Sequence, residues 1–337
     1  MNLDQYIQLM LPAIEKELKQ AIQTGVPEQV TGLRSMLSYH MGWEGENAGL
    51  EAQGKRIRPL MTLLSAVAAG EGWEQALPAA ASVELVHNFS LIHDDIQDCS
   101  ETRRGRATVW VKWGVAQAIN CGDLMFTLAF YDLNKLALSH PPAAVIEAAR
   151  ILQEACINLT RGQYLDLLYA ERQEISILDY WPMVGGKTAA LLSAAVELGA
   201  LSAEASKERR QAFRTYGYAL GLAFQAWDDW LGLWGDPSII GKSTASDLIA
   251  GKKTLPVLYA LNVNASFREH WLKGPVQPEE VPFFSKMLVD SGAKEYTEKE
   301  AARLTGEALA ALEQAAQYKD GYQVLHELTN RLLGRKN

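Results

Sequence analysis

The chain has 337 residues, with 32 Lys and Arg against 40 Asp and Glu, for a formal net charge of −8. That length supports a substantial core, as one large helical domain or two smaller ones. The acidic balance argues against nucleic acid as the main partner, which calls for a basic patch.

The three cysteines, Cys99, Cys121 and Cys156, have no CxxC spacing, and a reducing cytoplasm is the simple expectation. The opening MNLDQYIQLM lacks a basic n-region and a cleavage-site pattern. No uninterrupted apolar run reaches the length of a membrane span.

In chain order, residues 3–23 read as a helix with Tyr6, Met10, Ile14 and Leu18 on one stripe, and Pro12 as a kink or a start. Val30–Leu37 is a short helical piece. Ser38–Gly54, with four glycines, reads as a loop. Pro59 fits the first turn of a helix through Ala69, and Pro78 begins another that reaches Asp98. Trp110–Leu138 is mostly helical with an interruption near Gly122. Ala143–Arg172, Ser176–Gly199 and Lys207–Trp234 read as long helices, the second weakened at Pro182 and Gly185–Gly186. Asp236–Lys253 is a polar loop. Leu255–Asn262 is helical, Val263–Pro282 irregular, and the remainder holds two or three helices. Alternating strand patterns are nearly absent, so the expectation is a single all-α domain over residues 1–337.

The stretch Glu84–Arg104, ELVHNFSLIHDDIQDCSETRR, carries the chemistry most openly. Leu85, Phe89, Ile92 and Ile96 recur at helical spacing, and Asp94 and Asp98 stand one turn apart, about 6 Å along the axis. Carboxylates so placed repel unless a cation sits between them. Mg²⁺ takes such ligands and completes its shell with water and phosphate. Arg103 and Arg104 follow, and guanidinium suits phosphate oxygens. Acid for metal and base for phosphate on an apolar helix suggest a greasy diphosphate substrate. A solvated acidic patch with a balancing basic turn is the plainer alternative.

Other stretches read the same two ways. GKRIRP at Gly54–Pro59 places Lys55, Arg56 and Arg58 on an extended lead-in to a helix N-terminus, as a diphosphate pocket or a solvated basic loop. In VGGKTAALL, a kink at the glycine pair would turn Lys187 and Thr188 toward a cavity; otherwise Lys187 is a surface residue after a turn. In FQAWDD, Gln225, Asp228 and Asp229 share a helix face. Lys242, Asp247, Lys252 and Lys253 on the following loop would close over a diphosphate or stay solvated. His87 lies two turns before Asp94, on its face, and no HExxH spacing proposes zinc.

Together these residues resemble the trans-isoprenyl diphosphate synthases, the polyprenyl synthetase family. GKRIRP, DDIQD with RRG, GQYLDL at Gly162–Leu167, KTAAL, FQAWDD and GKSTASDL with GKKTLP occur in the family's order from about Gly54 to Ala260. The resemblance implies the isoprenoid synthase fold, an antiparallel helix bundle around a deep central cavity, and a homodimer. It implies that Asp94 and Asp98 bind two Mg²⁺ ions and Asp228 a third, with Asp95 and Asp229 in support. Arg103, Lys187, Thr188, Gln225, Lys242 and Lys252 would hold an allylic diphosphate; Lys55, Arg58, His87 and Arg104 would hold isopentenyl diphosphate. The implied reaction is Mg²⁺-dependent condensation of the two, in a cavity that excludes water from the cation.

Two departures stand out. Gly232 replaces the third Asp of the second motif, and Gln53 stands where the family commonly has Gly. A class I terpene cyclase would not need a second diphosphate pocket, and a non-catalytic synthase subunit should have lost its acidic motifs. Phe89 and Ser90, five and four residues before Asp94, bear on chain length. In the family an aromatic at the fifth position goes with short products. With a small neighbour beside it, the expected product is geranylgeranyl diphosphate, C20, ahead of farnesyl diphosphate, C15.

Overall fold

The computed structural model describes residues 1–70, 72–235 and 246–334. The described residues are overwhelmingly α-helical. They form two compact units built from interleaved segments: Met1–Glu154, Ala194–Phe213 and Ala315–Leu325 in the first, and Ala155–Ser193, Arg214–Gln314 and the chain from His326 in the second.

The first unit opens with α1 (Leu3–Gly25), fixed at its start by a reciprocal capping box between Asn2 and Gln5. Met10, Ile14 and Leu18 are fully buried, and Pro12 is accommodated inside the helix. After α2 (Thr31–His40) and the short α3 (Leu50–Gln53) comes α4 (Ile57–Ala69). Pro78 lies in the first turn of α5 (Leu77–Gln97). Residues 79–86 of α5 are all buried, as befits a helix enclosed on every side. The only strands among the described residues are β1 (Thr102–Arg103) and β2 (Arg106–Ala107), paired antiparallel. Then come α6 (Val109–Trp113) and α7 (Val115–Leu133), which packs along α5.

α8 (Pro142–Glu171) follows, then α9 (Ile177–Val184), a single π-helical stretch over Gly185–Ala189, and α10 (Ala190–Ser202). α11 (Lys207–Trp234) carries the second acidic motif. Beyond it lie α12 (Ser246–Ile249), α13 (Leu255–Val263), α14 (Ala265–Trp271), α15 (Val281–Asp290), α16 (Ala293–Ala315) and α17 (Lys319–Leu333). In the second unit Tyr180, Val184, Ala226, Leu255, Leu258 and Ala301 form one apolar cluster. Phe267, Phe284 and Leu288 anchor another.

Four local expectations are corrected. The presumed loop over residues 38–54 contains the end of α2 and all of α3. Arg58 belongs to the first turn of α4 rather than to an extended lead-in, because a proline there needs no amide donor and its neighbour can stay helical. The interruption between residues 110 and 138 falls at Gly114, with φ 83°, and α7 runs unbroken through Gly122. A Cβ at Gly122 would lie 2.2 Å from His93 Nε2, so this glycine serves close packing. Finally, Ala265–Trp271 is helical, capped by the Asn264 side chain on the Phe267 amide at 3.0 Å.

The segment Ile177–Ser202 has the length and composition of a membrane span, but 78% of its most apolar window is buried in protein.

Candidate active site

In the first unit, Arg56 starts α4 in a left-handed conformation, φ 48°. Its buried guanidinium donates to Glu15 at 2.6 Å, to Glu84 at 2.9 Å and to the Met41 carbonyl at 3.2 Å. Arg56 is therefore an anchor, and Lys55 and Arg58 flank it. Lys55 is exposed. Arg58 Nη1 lies 3.2 Å from His87 Nε2, and its buried Nε has no partner among the described residues. Burial, then the nearby Arg58, Arg104, Arg103 and Arg56, hold the His87 pKa well below its usual value. His87 is thus a neutral acceptor at pH 7 that steers the Arg58 fork.

Arg104 and Gly105 both have positive φ, 52° and 70°, and form the two-residue turn between β1 and β2. Arg104 Nη1 donates to the carbonyls of Ala52 at 2.9 Å and Gln53 at 2.8 Å. A Cβ on Gly54 would come within 2.6 Å of Arg104 Cζ, which explains the glycine that opens GKRIRP. The structure so gathers Arg58, His87 and Arg104 into one cationic neighbourhood in which a buried donor awaits an acceptor.

The acidic motif ends α5. Asp98 is the C-cap, its amide on the Asp94 carbonyl at 2.8 Å. The negative end of the helix dipole adds to the pull on a cation there. Asp94 is half-buried and Asp98 exposed. Asp95 points the other way, 2% exposed, and takes Arg103 through both oxygens, at 3.0 and 2.9 Å from Nε and 2.8 Å from Nη2. On the preceding turns, Phe89 packs against Phe126 of α7, ring centroids 4.9 Å apart, and Ser90 donates to the His87 carbonyl at 2.8 Å.

In the second unit, Lys187 sits in the π-helical stretch and pairs with Asp166 of α8. α8 comes close because residue 162 is glycine; a Cβ there would lie 2.1 Å from the Lys187 amide nitrogen. Thr188 Oγ1 donates to Gln225 Oε1 at 3.1 Å, and Gln225 Nε2 donates to Asp229 Oδ1 at 2.9 Å. Asp229 is 5% exposed, whereas Asp228 is exposed. Burial pushes the Asp229 pKa up to about 6. Lys252 is exposed and 3.1 Å from Asp247. Lys253 instead caps the C-terminal end of α8, 2.9 Å from the Tyr169 carbonyl. Lys242 lies outside the described residues.

Each acidic motif therefore divides its labour: the first Asp stays at the surface and the second is buried as a tie. Sequence patterning shows neither Glu84 nor Tyr180, gives no partner for Asp166 inside GQYLDL, and places Arg56 in a basic lead-in rather than as an internal anchor. Asp166 does leave a signal, one turn after Gly162 on the same face of α8. Among the described residues no three His, Cys, Asp or Glu side chains stand close enough to cage a metal. The pair Asp94 and Asp98 fits Mg²⁺ that completes its shell with water or a phosphate, for which one or two carboxylates suffice.

The family pattern of polyprenyl synthetases matches residues 47–282. Over 231 residues the chain is 45% identical to a (2E,6E)-farnesyl diphosphate synthase of Mycobacterium tuberculosis, covering 68% of this chain and 63% of that one. It is 43% identical over 232 residues to a geranylgeranyl diphosphate synthase of the same organism, covering 68% and 65%. The matches thus span just under two thirds of these relatives' lengths. Among solved structures, a polyprenyl synthetase from Streptomyces coelicolor A3(2) superposes with a TM-score of 0.90 at 34% identity, over 98% of this chain and 100% of that one. With the isoprenoid synthase fold and the ordered motifs in place, the chain belongs to the polyprenyl synthetase family.

Proposed function

We propose that the protein is a prenyltransferase that condenses isopentenyl diphosphate with an allylic diphosphate, head to tail, and releases inorganic diphosphate. The observation that carries this reading is the presence of two acid motifs, each with an outward first Asp, and of a separate cluster in which the Arg58 and Arg104 guanidiniums lie near neutral His87. Bound at Asp94, Asp98 and Asp228, Mg²⁺, three ions in this reading, would neutralise the charge that builds on the departing diphosphate. Lys187, Thr188, Gln225, Arg103, Lys242 and Lys252 hold that group, and Lys55, Arg58, His87 and Arg104 orient the isopentenyl partner. The double bond of the partner attacks the allylic carbon as the C–O bond breaks, and a proton leaves to the departing diphosphate.

The relatives named for C15 and C20 products stand within two percentage points of identity, 45% and 43%, so overall similarity does not separate them. Ser90 beside Phe89 supports geranylgeranyl diphosphate over farnesyl diphosphate. The same reading makes the protein a cytoplasmic homodimer, for which light scattering on the purified protein is the test.

Incubation with Mg²⁺ and dimethylallyl, geranyl or farnesyl diphosphate, with and without isopentenyl diphosphate, followed by mass identification of the products, tests the function. Elongated prenyl diphosphates should form only when both substrates are present. Cyclised hydrocarbon from the allylic substrate alone would replace this reading with a terpene cyclase.

A further inference from the structure

Asp229 Oδ2 receives two hydrogen bonds from distant parts of the second unit. One is from the phenol of Tyr180 on α9 at 2.7 Å, and the other from the Leu255 amide at the first residue of α13 at 2.8 Å. Its Oδ1 receives the third, from Gln225. Tyr180 is 2% exposed. Its ring lies edge-on to Trp181, centroids 5.0 Å apart, so the phenol has a fixed direction.

The two ends of this network matter for the phosphate-binding residues. Tyr180 belongs to the helix that runs directly into the π-helical stretch bearing Lys187 and Thr188. Thr188 returns to the network through Gln225. On the other side, Leu255 follows Lys252 by three residues and Lys253 by two. The N-cap of α13 is Thr254, which makes no side-chain cap, and its buried hydroxyl has no partner among the described residues. Asp229 supplies the missing cap from α11 instead. One carboxylate thus fixes the approach to Lys187 and the approach to Lys252, and Tyr180 is the donor that ties α9 to it.

We propose that Tyr180 is a positioning residue for the allylic diphosphate: through Asp229 it holds the segment of Lys187 and Thr188 in register with Gln225 and with the start of α13. This deepens the function proposed above and rests on it. Tyr180 touches neither substrate nor metal in this account. Its removal should therefore act on affinity for the diphosphate that Lys187 and Lys252 hold, and leave the isopentenyl partner alone.

The test is Tyr180→Phe, which deletes the phenol oxygen and keeps the ring. Calorimetric titration with inorganic diphosphate and MgCl₂ should show a Kd weakened about fivefold, the usual scale for one lost hydrogen bond. The KM for geranyl diphosphate should rise by a similar factor and that for isopentenyl diphosphate should stay within about twofold. A lower melting temperature with unchanged Kd and unchanged KM values would make Tyr180 a packing residue and overturn the proposal. So would an equal rise in both KM values. Should Tyr180→Phe not fold, Asp229→Asn, which keeps the side-chain volume but turns one acceptor into a donor, must show the same split. An unchanged Kd there is equally fatal. Weakened diphosphate binding in Tyr180→Phe, combined with a wild-type protein that forms no condensation product, would uphold the positioning role while rejecting the proposed reaction.

Discussion

Arg103 grips both carboxylate oxygens of Asp95, eight residues away along the chain, and so turns the middle acid of DDIQD inward. The consequence is an unequal motif. Asp94→Ala and Asp228→Ala should each lower turnover by at least a hundredfold, about 2.7 kcal/mol of barrier, while the far-UV spectrum stays native. Asp95→Asn should instead lower the melting temperature by loosening the tie to β1, with the Mg²⁺ dependence of turnover kept within a few fold. Turnover retained within tenfold in Asp94→Ala would remove that carboxylate from the proposed metal site.

Arg56 makes a second prediction of this kind. It occupies a left-handed backbone conformation at 4% exposure, held by Glu15 and Glu84. Truncation to Ala leaves two acids without their partner, a change that costs about 3–5 kcal/mol in buried pairs. Urea denaturation of Arg56→Ala should show a loss of that order. A loss under about 1 kcal/mol would mean that water already solvates the pair.

The helices and the acidic motifs were legible because each depends on local pattern: apolar periodicity, proline at N-termini, and carboxylates one turn apart. The all-α class followed from the near absence of alternation. The partners of the site residues were not legible. The sequence puts Asp95 and Asp229 only in support of their neighbours, and nothing local says what they hold. Their roles come from Arg103 folding back across a hairpin and from Leu255 and Tyr180 arriving from distant segments. Gly122 suggests a break on propensity alone, because a helix-internal glycine is weak; the packed ring of His93 shows why it is there. The rule for residues before proline puts Arg58 in extended chain, but that rule gives way in the first turn of a helix.

Stability should fall on mild acidification. Burial, reinforced by Arg104, Arg103 and Arg56, lowers the His40 pKa to about 3, and His87 is depressed for the same reasons. Between the folded value and about 6.5 in the unfolded chain, the unfolded state binds more protons. The stabilisation is therefore complete above about pH 6.5 and is lost as pH falls toward 3, by on the order of 4 kcal/mol for His40 over the whole span. The melting temperature should drop steadily from pH 7 to pH 5, and His40→Gln should flatten part of that slope. An identical slope in wild type and variant would place the acid sensitivity in other groups.

Gly232 bears on the missing third acid of FQAWDDWLG. A Cβ there would come within 2.7 Å of Asp247 Oδ2, and Asp247 holds Lys252 through its other oxygen. Restoring the family's residue should thus harm this protein. Gly232→Asp sets two carboxylates against each other and, under the proposed function, should raise the KM for the allylic substrate several-fold, with partial recovery in Gly232→Asp combined with Asp247→Asn. Improved Mg²⁺ affinity in the single variant would show that the site simply lacks a ligand.

Product length should respond to a ladder of three rings. Phe89 lies 4.9 Å from Phe126, and Phe126 lies 5.2 Å from Phe130, one turn further along α7. Phe89 also meets His93 edge-on at 5.4 Å. The ring before the acidic motif is thus buttressed by α7 and cannot swing that way without displacing Phe126. Under the proposed function, a tail that grows down α5 meets a braced wall at Phe89 and a small side chain at Ser90. Phe89→Ala should lengthen the product beyond C20, and Ser90→Phe should shorten it to C15 or C10. Phe126→Ala separates a wall from a brace. It leaves Phe89 in place but opens the space behind it, so a mixture with some longer product is expected rather than a complete shift. Mass analysis of the dephosphorylated alcohols reads all three. If Phe89→Ala and Ser90→Phe both return the wild-type product at similar rates, the floor of the chain-length pocket lies on other helices.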